Sequence, residues 1–277
     1  MFNFAISAWR AWAPGISDAP AWQAWARAPY CPTVPCTAPD LGFLPPLQRR
    51  RLSPMARMAV ACAWPLADAP SPMPVVYASH HGETTRGYDL LHCLARDEAL
   101  SPTSFSLSVH NATAGMWSIL RKETVESVAL SVAGDGLESA IAEACLLLAA
   151  GHPHALVVLA EEAPPAAYRP WIDDIPFPYA LALRVDAGAR VPAPGDADGD
   201  APPSGAFQLR AYAPAGVEAP AATVDAGPAA GDPAAADPAA ADPGWPHPLS
   251  LLRHLLLGTA SWRHPGRNRD WQWQRAS

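Results

Sequence analysis

The stretch from Ser127 to Ala160 constrains the fold more than any other part of the chain. It reads SVALSV, a glycine turn Gly134-Asp135-Gly136, an apolar run from Leu137 to Ala150 closed by Gly151, and then ALVVLA from Ala155 to Ala160. A short apolar run bounded by turn signals is the pattern of a buried strand, and a glycine just past an apolar helical run is where a helix stops. Strand, helix and strand in that order make a βαβ unit. Its two strands must run parallel, and the crossover between them is expected to be right-handed. The fold class that follows is α/β, built from βαβ layers.

Flanking segments extend the pattern. Pro74 to Ser79 (PVVYAS) is a β-rich run between Pro72 and Gly82, and Tyr179 to Val185 (YALALRV) is another. Leu47 to Ala67 carries Met55, Met58, Ala59, Cys62 and Ala63 at helical spacing, with Ser53 placed as N-cap and Pro54 at the first helical position. Thr84 to Ala99 reads as a helix with Tyr88, Leu91, Cys93 and Leu94 facing inward, and Ser101-Pro102-Thr103 breaks the chain before Phe105 to Val109 leads on. In residues 1–46, Trp9, Trp12, Trp22 and Trp25 alternate with prolines that block long helices. A short helix over Ala21–Ala28 and tryptophans capping a core are expected there.

Beyond Asp186 the composition changes. Residues 187–204 are dominated by Gly, Ala, Pro and Asp, and 225–244 contain the repeat DPAAA from Asp232 and Asp237. Too few large apolar side chains are present to offset the entropy of ordering them. The expected organisation is a domain over residues 1–185, a Pro/Ala/Gly/Asp-rich and largely disordered linker over 186–246 with one strand near Phe207–Tyr212, and a tail over 247–277. In that tail Leu249–Gly258 reads as a helix and Asp270–Gln274 as an edge strand, both folding back on the domain.

Several function classes are disfavoured at this level. Lys and Arg number 19 against 26 Asp and Glu, a net charge of −7, so no basic stripe faces a phosphate backbone and nucleic acid is not an expected partner. The five cysteines (Cys31, Cys36, Cys62, Cys93, Cys145) are odd in number and irregularly spaced, which argues for a reducing compartment; with no signal-like amino terminus and no long apolar stretch, a cytoplasmic protein without a membrane span is expected. No metal site is expected, since Cys31 and Cys36 lack a second pair, the adjacent His80 and His81 should diverge, and His152 and His154 flank Pro153 in a solvated loop. The serine-hydrolase elbow and the phosphate-binding P-loop are both missing. Gly134-x-Gly136-x-x-Ser139 followed by Glu161-Glu162 has the outline of a dinucleotide site, but Ser139 stands where a third glycine permits close packing.

SPTSFSLSVHNATAGMWSI (Ser101 to Ile119) and the run from Ser127 to Glu162 together resemble the amino-terminal half of β-ketoacyl-[acyl carrier protein] synthases, and more closely the chain-length-factor proteins of aryl polyene and related pathways. VVYASHHGETTRGYDLL (Val75 to Leu91) and RRRLSPMARMA (Arg49 to Ala59) look like two further blocks of that family, in the same order, so the resemblance spans residues 1–185. It implies a thiolase-like half-fold and no cofactor. The family places a nucleophilic cysteine at the amino terminus of the helix after the SVALSV-like strand, where the helix dipole lowers the thiol pKa and backbone N–H groups stabilise the oxyanion. Counting back from Gly151 puts Gly134 at that position, between Ala133 and Asp135, so the nucleophile turn is vacated.

The family's two catalytic histidines belong to a second half that the linker replaces here, and His247, His254 and His264 lie in no such context. By resemblance, His110, Asn111, Ala114, Gly115, Met116 and Trp117 approach a partner subunit and border an acyl channel. The function this implies is a catalytically silent subunit paired with a catalytic ketosynthase in a heterodimer, with an acyl carrier protein as a further partner. Two alternatives stay open: an active acyltransferase using Cys145, Cys93 or Cys62 as an unrecognised nucleophile, and a dinucleotide-binding α/β domain.

Overall fold

The computed structural model describes residues 1–67, 72–188, 205–213, 244–266 and 269–276. In chain order the elements are β1 (Phe2–Trp12), α1 (Ala19–Arg27), α2 (Pro46–Arg49), α3 (Pro54–Ala63), β2 (Val75–Ala78), α4 (Thr84–Ala95), α5 (Pro102–Ser106), α6 (Ala112–Arg121), β3 (Ser127–Leu130), α7 (Gly136–Ala149), β4 (His154–Glu161), β5 (Tyr179–Ala187), β6 (Gly205–Tyr212), α8 (His247–Leu257), β7 (Ser261–Pro265) and β8 (Asp270–Arg275). Among the described residues the strands form one eight-stranded sheet in the order β3-β2-β4-β5-β1-β6-β8-β7. The two strands of the βαβ unit both lie parallel to β2, one on each side, with Val75 opposite Ser127 and Leu156. All other neighbours run antiparallel, so the sheet is mixed.

Strand side chains alternate between two cores, and this explains why the central strands read as unbroken apolar runs. On β4, Ala155, Val157 and Leu159 enter one core with α1, α7 and α8, while Leu156, Val158 and Ala160 enter the other with α3 and α6. β5 follows suit: Leu181, Leu183 and Val185 face the first core, and the small Ala180 and Ala182 face the second, where the equally small Ala59 and Ala63 of α3 sit. The α3 start is the one expected. Ser53 caps it by accepting from the Ala56 N–H at 3.0 Å, and Pro54 occupies the first turn. Trp22 and Trp25 are fully buried on α1, in edge-to-face contact at 5.3 Å.

The structure corrects several expectations. The proline-rich amino terminus holds an 11-residue strand, β1, in the interior of the sheet between β5 and β6; its prolines begin only at Pro14, so nothing blocks pairing before it. α4 buries none of its residues, and Leu91 and Leu94 are 56% and 63% exposed where they were expected inward. Ser101 caps a short helix, α5, where a bare chain break was expected. Asp270–Gln274 is not an edge strand, because β7 lies outside β8. Strand β6 extends the expected Phe207–Tyr212 by two residues at its start. The disorder expected for 186–246 otherwise concerns residues outside those described, apart from 186–188, 213 and 244–246.

Candidate functional site

The carboxyl ends of β2 and β4, the turn after β3 and the segment entering α8 enclose a cavity of about 480 Å³. Ligands of open α/β sheets collect at such strand ends. One wall is formed by Gly134, Gly136 and Leu137; His80, Glu161 and Asp174 form another, and Trp245 to Pro248 closes a third side. Gly134 sits at φ +82°, a backbone conformation that L side chains rarely adopt, although an added Cβ would meet nothing within 4 Å. The turn therefore holds a glycine for its backbone, not for lack of room. Asp135 beside it is buried, and its Oδ2 accepts from the Trp271 indole N–H at 3.2 Å.

In the first turn of α7, Glu138 is completely buried, and three side chains from the tail converge on it. His247 Nδ1 lies 2.8 Å from Oε2, His264 Nδ1 lies 2.6 Å from Oε1, and Trp273 Nε1 donates to Oε1 at 3.0 Å. The two imidazoles stack at 4.4 Å. Burial alone would push the Glu138 carboxyl up, but the hydrogen bonds and charge of the two histidines hold it well below the usual carboxylate range. His247 Nε2 meets the Pro265 carbonyl at 3.2 Å. Both ring nitrogens of His247 thus face acceptors, which only an imidazolium satisfies. Its pKa is raised accordingly, burial being outweighed by Glu138. On His264, Nε2 faces the Ser250 hydroxyl at 2.9 Å. Glu138 was not singled out from the sequence, and His247 and His264 were set aside; the available signal was three histidines in a tail otherwise rich in Leu and Trp, since a histidine buried there must find a polar partner.

Across the cavity, Glu161 organises the loop after β2. Its carboxylate accepts from the His80 backbone N–H, from the His81 N–H at 3.4 Å and from Ser79 Oγ at 3.1 Å. Desolvation pushes Glu161 up to about 7, against those hydrogen bonds and with help from the Asp174 charge. So committed, Glu161 is not poised to bind a ribose, and Glu162 beside it is hydrogen-bonded to Thr85. Held by this loop, His80 and His81 do not diverge. His80 Nδ1 reaches Asp174 Oδ2 at 2.6 Å and His81 Nε2 reaches Oδ1 at 2.8 Å, with ring centroids 3.9 Å apart. Among the described residues, two groups with metal-ligand chemistry, His80/His81/Asp174 and Glu138/His247/His264, exist where none was expected. His152 and His154 pair with Glu126 and Asp186.

The remaining candidates are divided. Ala114, Met116 and Trp117 are buried in the second core, Trp117 lying edge-on to Trp64 at 5.9 Å, whereas Asn111 and Gly115 are exposed. His110 is half-buried and its Nε2 donates to the Ser79 carbonyl at 2.9 Å, behind the cavity. Cys62 is buried and Cys145 largely so; desolvation raises both thiols to about 12, so neither offers a thiolate at neutral pH. Cys31, weighed in the sequence only as a metal ligand, is exposed and lines the cavity.

Residues 22–274 match the family model described as "Beta-ketoacyl synthase, N-terminal domain". The chain belongs to that family. Its fold is similar to a chain of a complex from Xenorhabdus doucetiae described as the ketosynthase ApeO with its chain length factor ApeC, with a TM-score of 0.75, 29% identity, and coverage of 99% of this chain and 100% of that one. The ishigamide ketosynthase/chain length factor is similar at a TM-score of 0.55 and 16% identity, over 76% of this chain and 68% of that chain. AntDE:AntF, a type II polyketide acyl carrier protein in complex with its ketosynthase, is similar at 0.53 and 12%, over 67% of this chain and 64% of that chain. The last two identities speak for the fold alone. No curated protein sequence matches the chain. Among the described residues, no helix is long and apolar enough to cross a membrane.

Proposed function

We propose that this member of the β-ketoacyl synthase family is a non-catalytic, chain-length-factor-type subunit that pairs with a cysteine-bearing ketosynthase and shapes the acyl or polyene chain the pair builds. The observation that carries the reading is the amino end of α7. Where the family presents sulfur, this chain has Ala133, Gly134 and Asp135, and Asp135 places a buried carboxylate beside the spot where a thioester carbonyl would develop negative charge. The histidines that line the cavity are engaged, His247 with Glu138 and Pro265 and His80 with Asp174. Condensation at this turn lacks both its nucleophile and free imidazoles.

Two further observations support pairing. The similarity to a chain of the ApeO and ApeC complex runs the full length of both chains. α4 to α6 and their connections also leave Leu91, Leu94, Phe105, Val109 and Ile119 between 45% and 63% exposed, an apolar load that a subunit interface covers. Asn111 and Gly115 lie on this exposed side, and Met116 and Trp117 form the packed wall behind it.

The test is co-expression with a ketosynthase from an aryl polyene or polyketide pathway, followed by size-exclusion chromatography and a condensation assay on malonyl and acyl thioesters. A one-to-one complex is expected, with condensation by the complex and none by this chain alone. Condensation by the isolated chain would refute the reading.

A further inference from the structure

We propose that His80, His81 and Asp174 bind a divalent transition-metal ion, with Zn²⁺ the best match to the donors, at the wall of the cavity. Two imidazole nitrogens and one carboxylate with an open fourth position is a donor set that suits zinc. The three ligand atoms already lie within 4.8 Å of one another. Tetrahedral zinc, with bonds of about 2.0–2.2 Å, needs its donors about 3.3 Å apart. The present His80 and His81 contacts to Asp174, 2.6 and 2.8 Å, must therefore open by about 0.7 and 0.5 Å to admit the ion. Asp174 lies between β4 and β5 in a segment without helix or strand, where such a shift costs little, whereas the two histidines are held from behind.

That backing is the second observation. Glu161 accepts from both histidine backbone N–H groups and from Ser79, and so fixes the direction in which the two rings leave the sheet. Neighbours that orient ligands in this way are a regular part of metal sites. His80 would bind through Nδ1 and His81 through Nε2, the atoms that now face Asp174; the proton on each moves through solvent to the other ring nitrogen. His80 and Asp174 line the cavity of about 480 Å³, so the fourth position opens to water or to an oxygen ligand there. The Glu138/His247/His264 cluster is the poorer candidate. It is buried, and its ring nitrogens are engaged by Glu138, Pro265 and Ser250, so an ion would have to displace a satisfied network.

The inference does not rest on the subunit reading, and it is tested on the isolated full-length chain. After dialysis against a chelator, the protein is titrated with Zn²⁺ by calorimetry and with Co²⁺ by visible absorption, and the ring nitrogens are followed by long-range ¹H–¹⁵N spectra of the native chain. One equivalent is expected to bind, with tetrahedral Co²⁺ bands and shifts at His80 Nδ1 and His81 Nε2. Changes to supporting neighbours alone weaken metal sites about 10–100-fold, so removing a ligand in His81→Ala or Asp174→Asn should weaken binding by at least about a hundredfold. His152→Gln, outside the cavity lining, should leave it unchanged. A flat titration, shifts on His247 and His264 or on the half-buried His152, or unaltered affinity in both ligand variants would overturn the site; the native-chain spectra decide the matter even if a variant does not fold.

Discussion

His247 and Glu138 stand 109 positions apart in the chain and 2.8 Å apart in the fold, a buried imidazolium against a buried carboxylate. The pair ties the first turn of α7 to the start of α8, and so clamps the tail beside the Gly134-Asp135 turn.

The clamp predicts a stability window in pH. Glu138 has a folded pKa below its ordinary 4.5, so its contribution is complete above about that pH and is lost as pH falls through the folded value. His247 has a folded pKa above its ordinary 6.5, so its contribution is complete below that and is lost as pH rises through the folded value. Thermal melts should show the pair's full effect between about pH 4.5 and 6.5. Glu138→Gln leaves a buried cation unpaired and is expected to cost about 3–5 kcal/mol within that window. A Glu138→Gln melting curve that tracks the native one across pH would show that the pair is not ionised.

In the subunit reading, adding a thiol at the turn before α7 should not create condensing activity. Gly134→Cys places a side chain at φ +82°, at a cost of about 1–2 kcal/mol, and brings a thiol to a turn whose neighbours are Asp135 and the committed histidines. The variant is expected to fold with a modestly lowered melting temperature and to show no condensation by radiolabelled malonyl-thioester assay. Turnover by Gly134→Cys alone would mean that the thiol was the sole missing part.

The exposed side chains of α4 and α6 make a separate prediction. Leu94 and Ile119 are 63% and 59% exposed, so Leu94→Asp and Ile119→Asp should change the stability of the isolated chain by less than about 0.5 kcal/mol. In the subunit reading the same changes desolvate a carboxylate at the interface and should weaken complex formation at least about tenfold. Chromatography of co-expressed pairs reads the outcome, and unaltered complex with both variants would place the interface elsewhere.

Thiol reactivity should follow exposure and not helix position. Cys31 and Cys36 are exposed, and Cys31 is expected to react first with iodoacetamide because burial and Glu162 raise the Cys36 thiol. Cys62, buried and raised to about 12, should react last. Peptide mapping over a time course gives the order; early labelling of Cys62 or Cys145 would revive the reading of an unrecognised nucleophile.

Some of this molecule is written locally. Ser53-Pro54 starts α3 and Gly134-Asp135-Gly136 leads into α7 because caps, fixed proline φ and glycine turns act within a few residues. The runs that became β2, β4 and β5 declare themselves because strands covered on both faces must be apolar at every position.

Tertiary structure decided the rest, and for one reason: pairing and charge burial depend on partners distant in the chain. β1 takes its interior place from pairing with β5 and β6, strands that begin at Tyr179 and Gly205. Whether β8 is an edge depends on β7, and whether Leu91 and Leu94 are buried depends on what lies beside α4. His247 and His264 look idle until Glu138 lies between them, and His80 and His81 diverge on paper until Glu161 turns their backbone and Asp174 arrives from another loop. A polar side chain enters a core only where the fold supplies its partner. The residues that matter most at this cavity are therefore the ones whose neighbours in sequence say least.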